Sequence, residues 1–482
     1  MNKKPQLDRA LGLYTAILLV ISSMIGSGVF KKVAPMSAQL QDSNLVLLAW
    51  LLAGVVSMLG VFTYSGLASL TEEGGGQFEY FRIIYGRLFS FLFGWACFTV
   101  IQSASIASIA YVFAESVNYF LPLGDPLSRW SDVGLFGLIY PFRNSGVKIL
   151  TICTIAVLTL INYTGVKKGG LVNNIFSSAK IIGILILISA GLILHNNVSL
   201  DAAAAGVQPD VPSGLGLVSA MFTAMLSAFW AYDGWINVSY VTGEIRNPRR
   251  NIPVAIIGGT ALVMLLYVLI NYVYLHVLPV SAFMQIYAAG SRIPAAEVAH
   301  SLIPGFGYTL VLVLIMICTF GATNASLMAS PRIYHRMAGK GLFFSAFGAT
   351  HPVYHTPHKS LLLQMIWSTL LVISGTFDQL TNMLIFASFI AYGSGAVGLL
   401  YMKYKGKPVV QSDGSVQRWR ITARVIGFPV IPVLFLLFCI ALVVNTLITM
   451  PGESLTGLVF IALGIPVFFA FNKGQVKHTE PE

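Results

Sequence analysis

The stretch Ser22-Ser23-Met24-Ile25-Gly26-Ser27-Gly28-Val29-Phe30 lies inside an apolar run covering residues 11–36. A run of that length can cross a hydrocarbon core of about 30 Å, which takes about 20 residues. Two glycines around a serine are poor helix formers, each costing about 1 kcal/mol relative to alanine. Gly26 stands thirteen residues past Leu13, about 20 Å along a helix rising 1.5 Å per residue. The weak point therefore falls near the midplane. Taken alone, Gly-Ser-Gly reads equally well as a close helix-packing seam.

Outward from this stretch the same apolar character recurs. Twelve segments are expected to span a membrane: 11–36, 44–70, 88–121, 147–163, 171–195, 214–242, 253–278, 303–330, 360–375, 378–402, 424–448 and 454–472. The chain has 482 residues, 56% hydrophobic and 10% charged, against about 25% charged in a soluble domain. So few charges cannot cover a soluble surface of this size, and a soluble enzyme is excluded. Residues 1–482 are expected to form a single transmembrane domain. The run in residues 1–30 is too long for a signal peptide and lacks a cleavage site, so it reads as the first span.

Net charge is +11, which in a soluble protein would point to nucleic acid. With the N-terminus inside, 22 of the 29 basic residues fall in inner segments and 4 at outer edges. That asymmetry satisfies the positive-inside rule with both termini cytoplasmic. The charge is topological, and no nucleic-acid partner is expected; the bilayer is. All four cysteines lie inside apolar runs, where a small-hydrophobe role is the default.

A second interruption matches the first. Span 6 carries Phe229-Trp230-Ala231-Tyr232-Asp233-Gly234-Trp235, with Asp233 ten residues from Gly243, about 15 Å. Unpaired backbone in hydrocarbon costs several kcal/mol, so a broken helix survives only where it lines a protein-enclosed cavity. Two breaks at matching depth, in spans 1 and 6, fit five plus five spans related by inversion with the substrate between them. Repeat 1 is then 11–195, repeat 2 is 214–402, and 424–472 adds two further helices.

Helix dipoles give the breaks a chemistry. Free N–H groups at Gly26–Gly28 suit a carboxylate; freed carbonyls at Phe229–Tyr232 suit an ammonium group. Facing each other, they describe an α-amino acid. The candidate binding set is Ser22, Ser23, Met24, Ile25, Gly26, Ser27, Gly28, Phe229, Trp230, Ala231, Tyr232 and Asp233.

Five stretches resemble the amino acid–polyamine–organocation (APC) superfamily, and within it the L-type amino acid transporter (LAT) branch. They are Gly26-Ser27-Gly28-Val29-Phe30; Glu73-Gly74-Gly75-Gly76-Gln77-Phe78-Glu79-Tyr80; Tyr232-Asp233-Gly234-Trp235 with Gly243-Glu244-Ile245-Arg246-Asn247-Pro248-Arg249-Arg250-Asn251-Ile252-Pro253; Lys180; and Ser330-Pro331-Arg332 with Met337-Ala338-Gly339-Lys340-Gly341. The resemblance covers about residues 10 to 470. It implies an all-α LeuT-type fold with broken helices 1 and 6. It further implies substrate carboxylate contacts around Ile25–Gly28, amino-group contacts around Trp230, Ala231 and Asp233, and an aromatic gate at Trp230. Members that pair with a heavy chain carry a cysteine between spans 3 and 4. Residues 122–146 contain none, so no disulfide-linked heavy chain is expected, and a bacterial, free-standing permease of the inner (plasma) membrane is.

Lys180 lies ten residues into span 5, where an ammonium costs about 2.5–3.5 kcal/mol on insertion scales. It is expected to bond carbonyls near Ser22–Ile25. In the resemblance a lysine here substitutes for sodium, which implies sodium independence. Asp233 either meets a substrate amino group or caps the second half of span 6. Glu115, Lys31 and Lys32 read as edge residues near the outer end.

His351, His355 and His358 have a spacing that can bind zinc, but no carboxylate or cysteine accompanies them and no metal is expected. Asn197-Val198-Ser199 is a glycosylation sequon of meaning only in a eukaryotic secretory pathway. Gly74–Gly76 lacks the Gly-Lys-Ser/Thr ending of a phosphate loop. No catalytic residue and no cofactor is expected. The expected function is transport of small L-amino acids by sodium-independent exchange. The alternatives are a proton-coupled or cationic amino acid permease, and a transporter-like amino acid sensor.

Overall fold

The computed structural model describes residues 9–134, 140–194, 210–289, 292–374, 377–410, 416–421 and 425–473, and it is nearly all helical. The sequon at Asn197 and part of the loop 122–146 lie outside the described residues. One short antiparallel hairpin, Lys407–Val410 with Val416–Trp419, departs from the all-α expectation within the polar stretch after span 10.

Eleven helices among the described residues are long and apolar enough to cross a membrane. They match the expected spans 1–8 and 10–12. Span 1 is Leu13–Lys31, span 2 Ser43–Leu70, span 3 Arg87–Phe120, span 5 Val166–Leu194, span 6 Gly214–Glu244, span 7 Pro248–Val277 and span 8 Gly307–Gly339. The expected ninth span is the helix His358–Ser374, of 17 residues, about 25 Å long. It is shorter than its neighbours and opens on His358-Lys359-Ser360, so length and composition identify eleven of the twelve expected spans among the described residues.

Local chemistry sets the ends. Asp42 accepts from the Leu45 N–H at 2.8 Å, capping span 2. Pro248 and Pro331 occupy first-turn positions, where a missing N–H is no loss. Span 5 shows why the bundle belongs in lipid. Its exposed face is Leu171, Ile175, Ile182, Leu185 and Ile186, while Asn173, Ser177 and Lys180 are buried. A polar inside with an apolar outside is the arrangement that hydrocarbon demands.

Span 1 is the centre of the packing. Residues 18–30 are all buried, and the helix is held against spans 5, 7 and 8. Just before it, Leu11 donates to Glu244 O at 2.9 Å and accepts from the Arg246 N–H at 2.9 Å. This fastens the entry of span 1 to the exit of span 6.

Candidate functional site

Both expected breaks are present. Span 1 runs as Leu13–Met24, loses helical geometry over residues 25–27, and resumes as Gly28–Lys31 and then Val33–Leu40. Span 6 runs as Gly214–Tyr232 and turns extended at Asp233, with ψ 157°. It continues as the 3-10 helix Asn237–Glu244. The helix ends at Tyr232, so its last-turn carbonyls are those of residues 229–232; Phe229 O accepts from the Asp233 N–H at 2.8 Å and Ala231 O from the Tyr267 hydroxyl at 3.1 Å.

Two glycines allow the breaks to meet. A Cβ on Gly28 would lie 2.6 Å from the Ala231 Cβ, and one on Gly234 would lie 2.6 Å from the Ser23 carbonyl oxygen. Gly234 also has φ +103°, a conformation that side chains with a Cβ rarely adopt. Each broken span therefore rests directly on the backbone of the other.

Three side chains hold this arrangement. Lys180 Nζ donates to Ser22 O at 2.9 Å, to Ile25 O at 2.8 Å and to Ser22 Oγ at 3.1 Å. The Ser22 hydroxyl donates in turn to Gly321 O of span 8 at 3.1 Å. Tyr267 of span 7 places its hydroxyl 2.9 Å from Met24 O and 3.1 Å from Ala231 O. Tyr392, in the helix Phe377–Tyr404, donates to Asp233 Oδ1 at 2.6 Å. The 3-10 helix has Ile236 at its N-cap and no side-chain cap bond, so Asp233 faces span 10 rather than capping that helix.

A cavity of about 20 Å³ lies between the breaks and span 3. Of the candidate set, Ser23, Met24, Gly26, Ser27, Gly28, Trp230 and Asp233 line it. The others lie outside it. Ser22 and Ile25 turn their carbonyls to Lys180, and Ala231 packs on Gly28. Phe229 and Tyr232 line a separate hollow with Tyr392, Trp235 and Phe389.

Sequence reasoning missed Gln102, Ser105, Ile109, Gly234 and Asn237 in the lining, as well as Tyr267 and Tyr392. The polar atoms Ser23 Oγ, Ser27 Oγ and Gln102 Oε1 are buried without a hydrogen-bond partner among the described residues. Such atoms are uncommon in native proteins, and each costs about 1–3 kcal/mol. Three of them meet at this one cavity.

The two ends of the bundle differ. At one, Glu244 and Arg332 form a buried pair through Nε at 2.9 Å and Nη2 at 3.1 Å. Nearby, buried Glu79 accepts from Arg82 at 2.8 Å and Arg336 at 2.5 Å. At the other, a hollow of about 390 Å³ is lined by residues including Lys31, Lys32, Glu115 and Arg292, with Lys31 and Glu115 paired at 3.2 Å. The His351 ring accepts from the Val353 and Tyr354 N–H groups. Among the described residues no group of three His, Cys, Asp or Glu is placed to hold a metal ion.

Residues 11–471 match the family model described as amino acid permease. The chain belongs to the amino acid permease family. The permease is 28% identical over 480 residues to b(0,+)-type amino acid transporter 1 of Homo sapiens, covering 97% of this chain and 89% of that protein. It is 26% identical over 469 residues to the serine/threonine exchanger SteT of Bacillus subtilis, covering 97% and 98%. Against the large neutral amino acids transporter small subunit 2 of Mus musculus the identity is 26%, covering 96% and 81%. The APC and LAT resemblance therefore stands. The permease is an integral, multi-pass amino acid transporter, and its relatives are transporters rather than enzymes.

Proposed function

We propose that the permease exchanges small L-amino acids without sodium, by alternating access around the cavity between spans 1, 3 and 6. The observation that carries this reading is the meeting of two broken helices at a cavity whose buried Ser23, Ser27 and Gln102 oxygens have no hydrogen-bond partner among the described residues. Of the N–H groups at Gly26–Gly28, that of Gly26 donates to Met24 O at 2.9 Å, so the substrate carboxylate is assigned to those of Ser27 and Gly28, where the half-helix dipole favours an anion. The ammonium is assigned to the carbonyl end of Gly214–Tyr232 and to Asp233, with Trp230 covering the site. The serine/threonine exchanger and the large neutral amino acids transporter among its relatives support exchange of neutral substrates.

Sodium independence is supported by Lys180, whose ammonium sits on the Ser22 and Ile25 carbonyls. Unwound carbonyls of this kind are what transporters offer to a coupling sodium. Contacts of span 2 with span 7 and of span 3 with span 8 support inverted repeats at 11–195 and 214–402. The basic-residue asymmetry supports both termini in the cytoplasm and residence in the inner (plasma) membrane. The cysteine-free loop 122–146 supports action without a disulfide-linked partner.

A second reading, a cationic amino acid permease, rests on Asp233, a buried carboxylate at the cavity wall. Counterflow into proteoliposomes preloaded with each amino acid, with and without sodium or a pH gradient, tests both. Uptake of small neutral amino acids that is indifferent to both ions is expected. Preference for lysine or arginine establishes the second reading, sodium stimulation overturns the role given to Lys180, and no uptake of any amino acid overturns the function.

A further inference from the structure

Span 3 changes hydrogen-bond register at Cys97–Ile101, a π-helical turn closed by the Gln102 N–H on Cys97 O. Such single turns inside α-helices occur frequently at functional sites. Directly after it, Gln102, Ser105 and Ile109 line the cavity, at the spacing of one helix face. Gln102 is 4% exposed. Its Nε2 donates to Asn237 Oδ1 at 3.2 Å, and Asn237 opens the 3-10 helix beyond the span 6 break. One end of the amide is thus anchored to span 6. The other, Oε1, is buried at the cavity without a partner among the described residues.

We propose that Gln102 reads the substrate side chain, so that small amino acids bearing a side-chain hydroxyl are selected over their apolar counterparts. The proposal rests on the cavity being the amino acid site. Spans 1 and 6 take the carboxylate and the ammonium, which leaves the span 3 wall to meet the side chain. A hydroxyl both donates and accepts, so it pairs with whichever atom of the amide faces the cavity. An aliphatic side chain of equal size leaves that atom desolvated and unpaired, at a cost of about 1–3 kcal/mol. Ile109 on the same helix face favours short side chains, with serine and threonine as natural members of the class.

Competition against counterflow by pairs that differ in one polar group tests this directly: serine against alanine, and threonine against valine. Wild-type permease is expected to be inhibited about tenfold more tightly by the hydroxylated member of each pair. Gln102→Met, which keeps the length and removes the amide, is expected to lower each ratio about tenfold. Equal inhibition by both members in the wild type overturns the proposal, as does a ratio unchanged in Gln102→Met. If Gln102→Met does not fold or transport, Gln102→Leu, which also removes the amide, is read in its place with the same two outcomes. Wild-type protein that transports no amino acid overturns the underlying functional reading, a result distinct from transport without hydroxyl preference.

Discussion

Span 1 breaks over residues 25–27, and the carbonyls beside its break are met by a cation. Span 6 breaks over Asp233 and Gly234, and there a carboxylate is met by a phenol. An ammonium has three donors, and Lys180 directs them at Ser22 O, Ser22 Oγ and Ile25 O. A carboxylate offers about four lone-pair sites, and Tyr392 uses one on Asp233. The span 1 tether is therefore complete within the protein, whereas the span 6 carboxylate keeps acceptor capacity at the cavity wall. This difference separates a group that holds the site together from one that can take part in choosing what enters it.

The change that breaks both halves at once is Gly234→Ala. Its Cβ would meet the Ser23 backbone at 2.6 Å, in a conformation with φ +103°, and a backbone neighbour cannot swing aside. Counterflow is expected to fall to background, with reduced recovery of monodisperse protein. Normal transport by this variant would show that the close contact of the two breaks is dispensable. Next in size is Lys180→Ala, which leaves two buried carbonyls unpaired at about 1–3 kcal/mol each. Transport is expected to fall on the order of 100-fold, equally for every substrate, because the tether does not touch the cavity. Wild-type rates, or a loss confined to one substrate, would contradict that role.

The same contrast explains how much was legible in the sequence. The breaks were readable because Gly26, Gly28 and Asp233 are costly or unhelpful in a membrane helix and stand out against apolar neighbours. Lys180 was readable for the same reason: charge is scarce in this chain, so a mid-span lysine needs a partner, and unwound carbonyls are a natural one. Tyr267, Tyr392 and Gln102 carry no such mark. Tyrosines are common in these spans, with 20 in the chain, and one that bridges two breaks looks like one that faces lipid. Gln102 owes its position to a π turn at Cys97–Ile101, and an inserted residue in the hydrogen-bond ladder has no periodicity of its own to read. Division of the candidate set was equally hidden. Ser22 and Ser23 are adjacent, yet one carbonyl serves Lys180 and the other packs on Gly234, because successive residues on a helix point about 100° apart.

Asp233→Asn sharpens the comparison from the span 6 side. The amide can still accept from Tyr392, so the fold is expected to be retained while the negative charge is lost. If Asp233 meets the substrate ammonium, the half-saturating concentration for all substrates rises about tenfold, the scale of one charge-assisted hydrogen bond. If it meets a cationic side chain, lysine and arginine lose competition while serine and alanine keep theirs. Unchanged concentrations for both classes would reduce Asp233 to a tie between spans 6 and 10.

The smallest effect belongs to Tyr267→Phe, which tests whether the two breaks act together. One hydroxyl proton serves both Met24 O at 2.9 Å and Ala231 O at 3.1 Å, so its donation is shared between the spans. Removing it deletes about one net hydrogen bond, about 0.5–1.5 kcal/mol, or roughly two- to thirteenfold in an equilibrium. The ring remains packed on Trp50 and Tyr232, so thermal stability in detergent is expected to change little. Counterflow is expected to slow about fivefold, because the carbonyl sides of both breaks must keep their relative position while the substrate is held. A slowed rate with unchanged half-saturation places the coupling in the movement between states; a raised half-saturation at unchanged rate places it in binding. No change in either would show that Lys180 and the glycine contacts already fix the two breaks, and that the tyrosine bridge adds nothing to them.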